Sequence, residues 1–261
     1  MIDYTTVGIH DFYCFLLVFA RVGGLMVAAP LFSNPAIPKM SRAGFAVMFS
    51  LAATPLLLHT VGAVPTHLFL LAGYVIKDAL YGIALGYTAR ILFSSVELAG
   101  YFIDTQIGFG MINLLNPYSQ QQSSVMSLFQ YQLATTLYLL ANGHLTLLGA
   151  LVDSFASLPP GGEAPHAAMG LAIVPVVKSM FIIGFRIALP AAGVLIAVDM
   201  AFGLIARMAP QVNVSIVGGP LKIIVGLATV ALMLPLLTVF VGHIISGTSA
   251  GFQGMIAGAH H

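Results

Sequence analysis

Apolar residues in this chain gather into six long blocks, at about 12–32, 43–60, 67–105, 125–150, 167–206 and 221–245. Blocks one, two, four and six have the length of single membrane-crossing helices, which need roughly 20 apolar residues. Blocks three and five are too long for that. As single helices at about 1.5 Å per residue each would approach 60 Å, about twice the hydrocarbon thickness of a bilayer. They are expected to break, to fold back or to project beyond the bilayer. Pro175 and Pro190 supply breakers in block five, because proline removes helix hydrogen bonds. Gly82, Gly86 and Gly100 give block three places for close packing or bending. The stretch Leu158-Pro159-Pro160-Gly161-Gly162-Glu163-Ala164-Pro165 cannot be helical and is predicted to be an exposed loop. It separates a four-block N-terminal part from a two-block C-terminal hairpin.

Composition fixes the solvent. Of 261 residues, 59% are hydrophobic and 7% charged, with a mean hydropathy of +1.01. A soluble domain carries roughly a quarter charged residues, so the chain is a polytopic membrane protein or a subunit buried in an apolar assembly. The net charge of +1 offers no basic face for nucleic acid. Cys14 stands alone among Phe12, Phe15, Leu16 and Leu17, which rules out an intrachain disulfide and suits a small buried hydrophobe. Asp3 and Asp11 precede the first block without a basic stretch, which argues against a cleaved signal peptide. Lys39 and Arg42 follow block one, and Arg207 and Lys222 bracket the link between blocks five and six. Acidic residues sit instead at Asp3, Asp11, Asp153 and Glu163. The positive-inside rule then puts the basic links in the cytoplasm and both termini outside.

Arg21, Lys77, Asp78, Arg90, Glu97, Asp104, Lys178, Arg186 and Asp199 interrupt the apolar runs. Each costs about 2.5–3.5 kcal/mol or more at the centre of a lipid-facing helix, so each should face protein or a wet interior. One reading is a proton or ion relay. The other is pairing within and between packed helices, which the balance of signs and the lack of an acidic pair at relay spacing favour. Lys77 and Asp78 point in different directions on a helix and should have separate partners. Walker A, His-Glu-x-x-His and Gly-x-Ser-x-Gly runs and metal-binding Cys pairs are missing from the sequence, so no enzyme activity and no cofactor are expected. His144 lacks a nearby second histidine, and a hydrogen-bonded helix bend at Asn142-Gly143 suits it better than a metal.

The segment from Glu97 to Pro117 is the most unusual. It sets Glu97, Asp104 and Gln106 ahead of Gly108-Phe109-Gly110-Met111-Ile112, and Asn116-Pro117 then prevents direct helical continuation. Gly108 and Gly110 let the backbone turn and approach another chain closely. Tyr118 to Ser124 is polar and uncharged. A flexible apolar loop with such a sequel could plug a wide conduit, excluding ions by dewetting. On residue chemistry alone, an ordinary interhelical loop lodged in a core ranks ahead of the plug.

These residues, with Phe19-Ala20-Arg21-Val22-Gly23-Gly24 through Pro38, Leu139 to His144, and Met208-Ala209-Pro210-Gln211-Val212-Asn213 with Pro220-Leu221-Lys222, resemble the FliR family. This is the R subunit of the flagellar type III export gate, whose virulence-system counterparts share its fold. The resemblance covers most of the chain in order, and Asn142-Gly143-His144 with Pro210-Gln211-Val212-Asn213 leans it to the flagellar branch. It implies an all-α hetero-oligomeric gate without catalytic activity, built from kinked helix hairpins in a helical arrangement. One R copy joins several P and Q subunits, with the B and A subunits of the apparatus beside them, in the bacterial inner membrane at the flagellar basal body. Residues 1–165 would be P-like and 166–261 Q-like. The loop at about 106–122 would plug the channel for unfolded export substrates, with Gly108 and Gly110 as hinge, Phe109, Met111 and Ile112 as seal, and Asn116 and Pro117 ending it. Arg21, Glu97, Asp104, Arg186 and Asp199 would be buried charges for helix and subunit packing. Arg207, Pro210, Gln211, Asn213 and Lys222 would meet other subunits on the cytoplasmic side. The alternative from a different class is an ion-coupled secondary transporter using Asp104 and Asp199.

Overall fold

The computed structural model describes residues 4–109, 124–162, 173–209, 211 and 214–259. These form seven helices and, among the described residues, no strand: α1 (Tyr4–Ala28), α2 (Lys39–Leu57), α3 (Leu68–Ile107), α4 (Val125–Leu140), α5 (Gly143–Ser157), α6 (Ile173–Met208) and α7 (Val214–Ala259). Five are long and apolar enough to cross a membrane, or six spans result if α4 and α5 count as one broken span. The fold is therefore all-α and membrane-type, as the six apolar blocks anticipate.

Of the three outcomes expected for blocks three and five, breaking is excluded and projection stands. The 40-residue α3 is continuous, the 36-residue α6 runs through Pro190, and the 46-residue α7 runs through Pro220 and Pro235. Pro175 falls in the first turn of α6, where a missing N–H leaves no helix bond unmade. An interior proline removes one ladder bond, a loss that long apolar helices absorb when neighbouring groups satisfy the freed carbonyl. A straight helix of 40 residues tilted by about 40° would still measure about 45 Å along the bilayer normal. Projection past the hydrocarbon is thus what such lengths require.

The helix contacts divide into two compact units that interleave along the chain. Unit 1 comprises residues 1–91, 142–176 and 245–261, and unit 2 comprises 92–141 and 177–244.

Unit 1 is built on α1. Leu17, Val18, Val22 and Leu25 are inaccessible and share a core with Leu85, Ala89, Leu147, Leu151 and Phe155. Glycines let α1 and the first half of α3 touch backbone to backbone. A Cβ at Gly82 would fall on the carbonyl oxygen of Arg21, one at Gly24 on that of Ala79, and one at Gly86 would lie 2.8 Å from the Ala28 methyl. Small residues in register are how apolar helices gain dispersion contacts where no hydrophobic drive separates them from lipid. On α2 the buried hydroxyls of Ser50 and Thr54 donate to Ala46 and Ser50 carbonyls at 2.6 and 2.7 Å, so neither is left unmade in an apolar setting. Cys14 is fully buried on α1, with its Sγ 3.9 Å from the Thr54 carbonyl.

Unit 2 packs Ile103 and Ile107 of α3 with Met126 of α4, Ala191 and Leu195 of α6 and Val230 of α7. Phe93 lies edge-on to Tyr138 with centroids 5.0 Å apart. The break between α4 and α5 falls at Asn142, whose φ of 57° ends the first helix. Its carbonyl restarts the ladder by accepting from Leu145 N at 2.9 Å. The bend is therefore a backbone device, and the His144 Nδ1 has no hydrogen-bond partner among the described residues.

Candidate functional site

The loop singled out by sequence lies largely beyond the described residues: Gly110, Met111, Ile112, Asn116 and Pro117 fall outside them. What the structure gives is the pair of anchors from which it departs. α3 ends in a glycine cap. Gly108 has φ 94°, and the Asp104 carbonyl accepts from both Gly108 N (3.0 Å) and Phe109 N (3.3 Å). That pattern requires a left-handed residue, which glycine adopts without a Cβ penalty. It is completed by an apolar contact, since Phe109 packs onto the core cluster that contains Ile103. Gly108, read from sequence as a hinge, is thus a helix terminator. Phe109, read as a sealing residue, is half-buried against the chain's own core.

α4 begins where the loop returns. Ser124 is its N-cap, with its side chain accepting from Ser127 N at 3.0 Å. The Asp104 carboxylate, only 4% exposed, accepts a second orphan donor, Met126 N, at 3.2 Å. Ser127 donates from its hydroxyl to the Glu97 carbonyl. Gly100 makes room for this approach, as a Cβ there would come within 2.6 Å of Ser127 N. One carboxylate on α3 therefore both holds the start of α4 and places negative charge at that helix's positive end. Below it, Ile107 fills a notch at Gly226 of α7, where a Cβ would meet its Cδ1 at 2.7 Å. The end of α3 is thus closed by backbone bonds at Gly108, and the start of α4 is held by the side chains of Ser124 and Asp104.

A second polar centre lies in unit 1. Arg21 and Asp78 form an ion pair with both side chains inaccessible. Arg21 Nε donates to Asp78 Oδ1 at 2.9 Å, and Nη2 donates to the same oxygen. Nη1 reaches the carbonyls of Ser154 (3.0 Å) and Leu158 (2.9 Å). The guanidinium carbon lies 4.7 Å from the Phe155 ring centroid and 5.1 Å from that of Tyr81. Asp78 Oδ2 accepts from Gly161 N at 3.1 Å, while Lys77 donates to the Gly162 carbonyl. Adjacent in sequence, Lys77 and Asp78 do have separate partners. The stretch 158–162 is non-helical as expected, but of these residues only Pro159 is exposed. Its Pro160 is buried and its backbone closes over the ion pair, because a charge out of water needs every hydrogen bond it can make. Residues 163–165 lie outside the described residues.

The other charges expected to be buried are not all so. Glu97, Arg186 and Asp199 are exposed on this chain. Asp199 instead forms an exposed ion pair with Lys222 at 2.8 Å, joining α6 to α7. A long α6 carries its charges on a face the chain does not cover, and sequence spacing alone does not say which face that is. Arg207 and Gln211 are exposed, and Pro210 and Asn213 lie outside the described residues. Among the described residues no group of three or more His, Cys, Asp or Glu could hold a metal. Sequence reasoning missed Ser124 as the cap of α4 and Ser127 as its tie to the Glu97 carbonyl, although a serine just ahead of an apolar run is a helix-start signal.

Comparison with known proteins agrees with the helix pattern. The family described as bacterial export proteins, family 1, matches residues 12–248. The flagellar biosynthetic protein FliR of Escherichia coli (strain K12) is 35% identical over 226 residues, 87% of this chain and 86% of that protein. FliR of Bacillus subtilis (strain 168) is 34% identical over 257 residues, covering 94% and 95%. FliR of Caulobacter vibrioides is 32% identical over 223 residues, covering 85% and 88%. With a match of this extent at both levels, the chain belongs to bacterial export protein family 1, alongside its FliR relatives.

Proposed function

We propose that this chain is a structural and gating subunit of the flagellar type III protein export gate in the bacterial inner membrane. It lines and plugs the channel through which unfolded substrates leave during flagellum assembly, and it has no catalytic role. The observation that carries this reading lies in the residues flanking 110–123: α3 closes on the Gly108 cap, and the start of α4 is held by Asp104 and Ser127. A loop fixed at both ends by rigid helices can move at its apex without unravelling its base, which is what a seal that yields and recloses needs. Met111 and Ile112 carry the seal and Gly110 its flexibility, with Phe109 held in the base.

In this reading the chain is the R-type subunit, one copy per gate. It packs with P- and Q-type subunits through its P-like residues 1–165 and Q-like residues 166–261, and meets Q-like neighbours or the B subunit through Arg207, Pro210, Gln211, Asn213 and Lys222, with the A subunit a further member of the apparatus. Its termini lie on the periplasmic side, and it sits in the flagellar basal body with lipid around part of its surface. A transporter built on Asp104 and Asp199 is disfavoured, since the first carboxylate is committed to Met126 N and the second to Lys222. The test is removal of residues 110–118 in cells producing the full gate. An assembled gate with raised permeability to small ions is expected; an assembled gate of unchanged permeability would overturn the plug.

A further inference from the structure

Unit 2 contains a small cavity of about 10 Å³ lined by Gln130 of α4, Ile187 of α6, and Val230, Met233, Leu237 and Phe240 of α7. Gln130 is its polar member among those residues, and it is 2% exposed. Its Oε1 is buried and has no hydrogen-bond partner among the described residues. An amide oxygen buried without a donor in an apolar surrounding keeps its desolvation cost uncompensated, so a stable protein is expected to supply a partner. Two of the helices that frame the notch, α6 and α7, are strongly apolar, with mean hydropathies of 2.2 and 2.5 over their spans. Lipid acyl chains against such helices cannot donate a hydrogen bond.

The size and chemistry of the notch select the occupant. Its volume admits one hydroxyl-sized group. A lone water would want two to four polar partners, and this lining offers one side chain. A hydroxyl carried on another helix needs no second partner, because its own backbone holds it. A hydroxyl can also donate to the amide oxygen or accept from the amide nitrogen, so it fits either orientation of the Gln130 side chain. We propose that the Gln130 notch receives a serine or threonine side chain from an apolar helix of a neighbouring gate subunit packed over α4, α6 and α7. This rests on the export-gate reading and adds to it a specific polar contact within an apolar interface, of the kind that holds membrane helices in register.

The test uses the complete gate purified in mild detergent, with the photocrosslinking residue p-benzoylphenylalanine in place of Phe240, a half-buried residue of the lining. Adducts on a neighbouring subunit within one helical turn of a serine or threonine are expected. Adducts only to lipid or detergent, or only to residues 110–123 of the same chain, would overturn the inference while leaving the gate reading intact. Recovery of no small apolar partner with the unaltered chain would sink both. Independently, Gln130→Leu should lower retention of that neighbour in a detergent challenge roughly three- to thirty-fold, the range for an interhelical polar contact. Changing the mapped hydroxyl residue to alanine should produce the same loss, with no further loss in the double variant. Additive losses, or a Gln130→Leu gate as durable as the unaltered one, would count against the contact.

Discussion

Arg21 on α1 and Asp78 on α3 lie 57 residues apart in sequence and meet as a fully buried ion pair. The arginine's remaining donors go to Ser154 and Leu158, and the other carboxylate oxygen accepts from Gly161. The pair therefore ties α1, α3, α5 and the turn after α5 to one point. Removing one partner strands the other charge in a dry core, which costs about 3–5 kcal/mol, whereas replacing both with apolar residues of similar volume is often far milder. Arg21→Ala and Asp78→Ala should each sharply reduce the chain recovered as a monodisperse species after detergent extraction. Arg21→Met with Asp78→Leu should recover much of the loss. A double variant as damaged as the two single changes combined would show that the ion pair is not what these residues provide.

The glycine contact between α1 and α3 makes a prediction with an internal control. At Gly82 an added methyl meets backbone oxygen rather than a movable side chain, so Gly82→Ala must push two helices apart and with them the Arg21 to Asp78 geometry. A loss of at least about 1–3 kcal/mol is expected, as for an overpacked core. At Gly23, on the same α1, nothing lies within 4 Å of the added methyl. Gly23→Ala should be neutral or stabilising by up to about 1 kcal/mol through helix propensity. Thermal unfolding of the two variants side by side checks both; equal responses would contradict the close approach.

Much of this architecture was legible because it is local. Apolar runs located six of the helical regions, and the intramembrane charges announced that something must pair with them. The choice of partner was not legible. Nothing near Arg21 in sequence points to Asp78 or to the turn at 158–162, and a Pro/Gly-rich stretch usually signals exposure, yet here its backbone supplies the hydrogen bonds a buried charge needs. Pro190 looked like a breaker because helix propensity in water is the usual measure, whereas a long apolar helix keeps its form through tertiary packing and the lack of competing water. At the candidate site the two glycines signal backbone freedom, the property a hinge would use. The capping bonds at Asp104 turn the same property into a fixed stop.

The exposed pair between Asp199 and Lys222 should behave unlike the buried one. With side chains 47% and 20% exposed, it gains modest Coulomb energy and is screened by salt, so such pairs contribute about 0–1 kcal/mol. Asp199→Ala should leave the thermal stability of the isolated chain nearly unchanged. A loss comparable to Asp78→Ala in the isolated chain would mean that the pair is far less solvated than its exposure indicates. The same substitution measured in the complete gate would then report how far a neighbouring subunit covers this face.

Asp104 offers the sharpest separation of stability from gating. Its carboxylate caps α4 at Met126 N from across the base of the 110–123 segment, and loss of a cap costs about 0.5–2 kcal/mol. That is small against the packing of Ile103, Ile107 and Met126 around it, so Asp104→Ala should fold and assemble. What it loses is the tie between the end of α3 and the start of α4. In the export-gate reading, permeability of the closed gate to small ions should rise, by less than on deletion of 110–118. Asp104→Asn keeps an acceptor oxygen and gives up only the charge, so its effect should lie between the unaltered chain and Asp104→Ala. Gly108→Ala attacks the other anchor, forcing a side chain into a φ of 94° at a cost of about 1–2 kcal/mol, and should raise permeability in the same sense. The measurement is dye or ion leakage in cells whose gates assemble to normal levels. Leakage unchanged in all three variants would sink the role of the anchored base while leaving the buried ion pair and the helix packing as they stand.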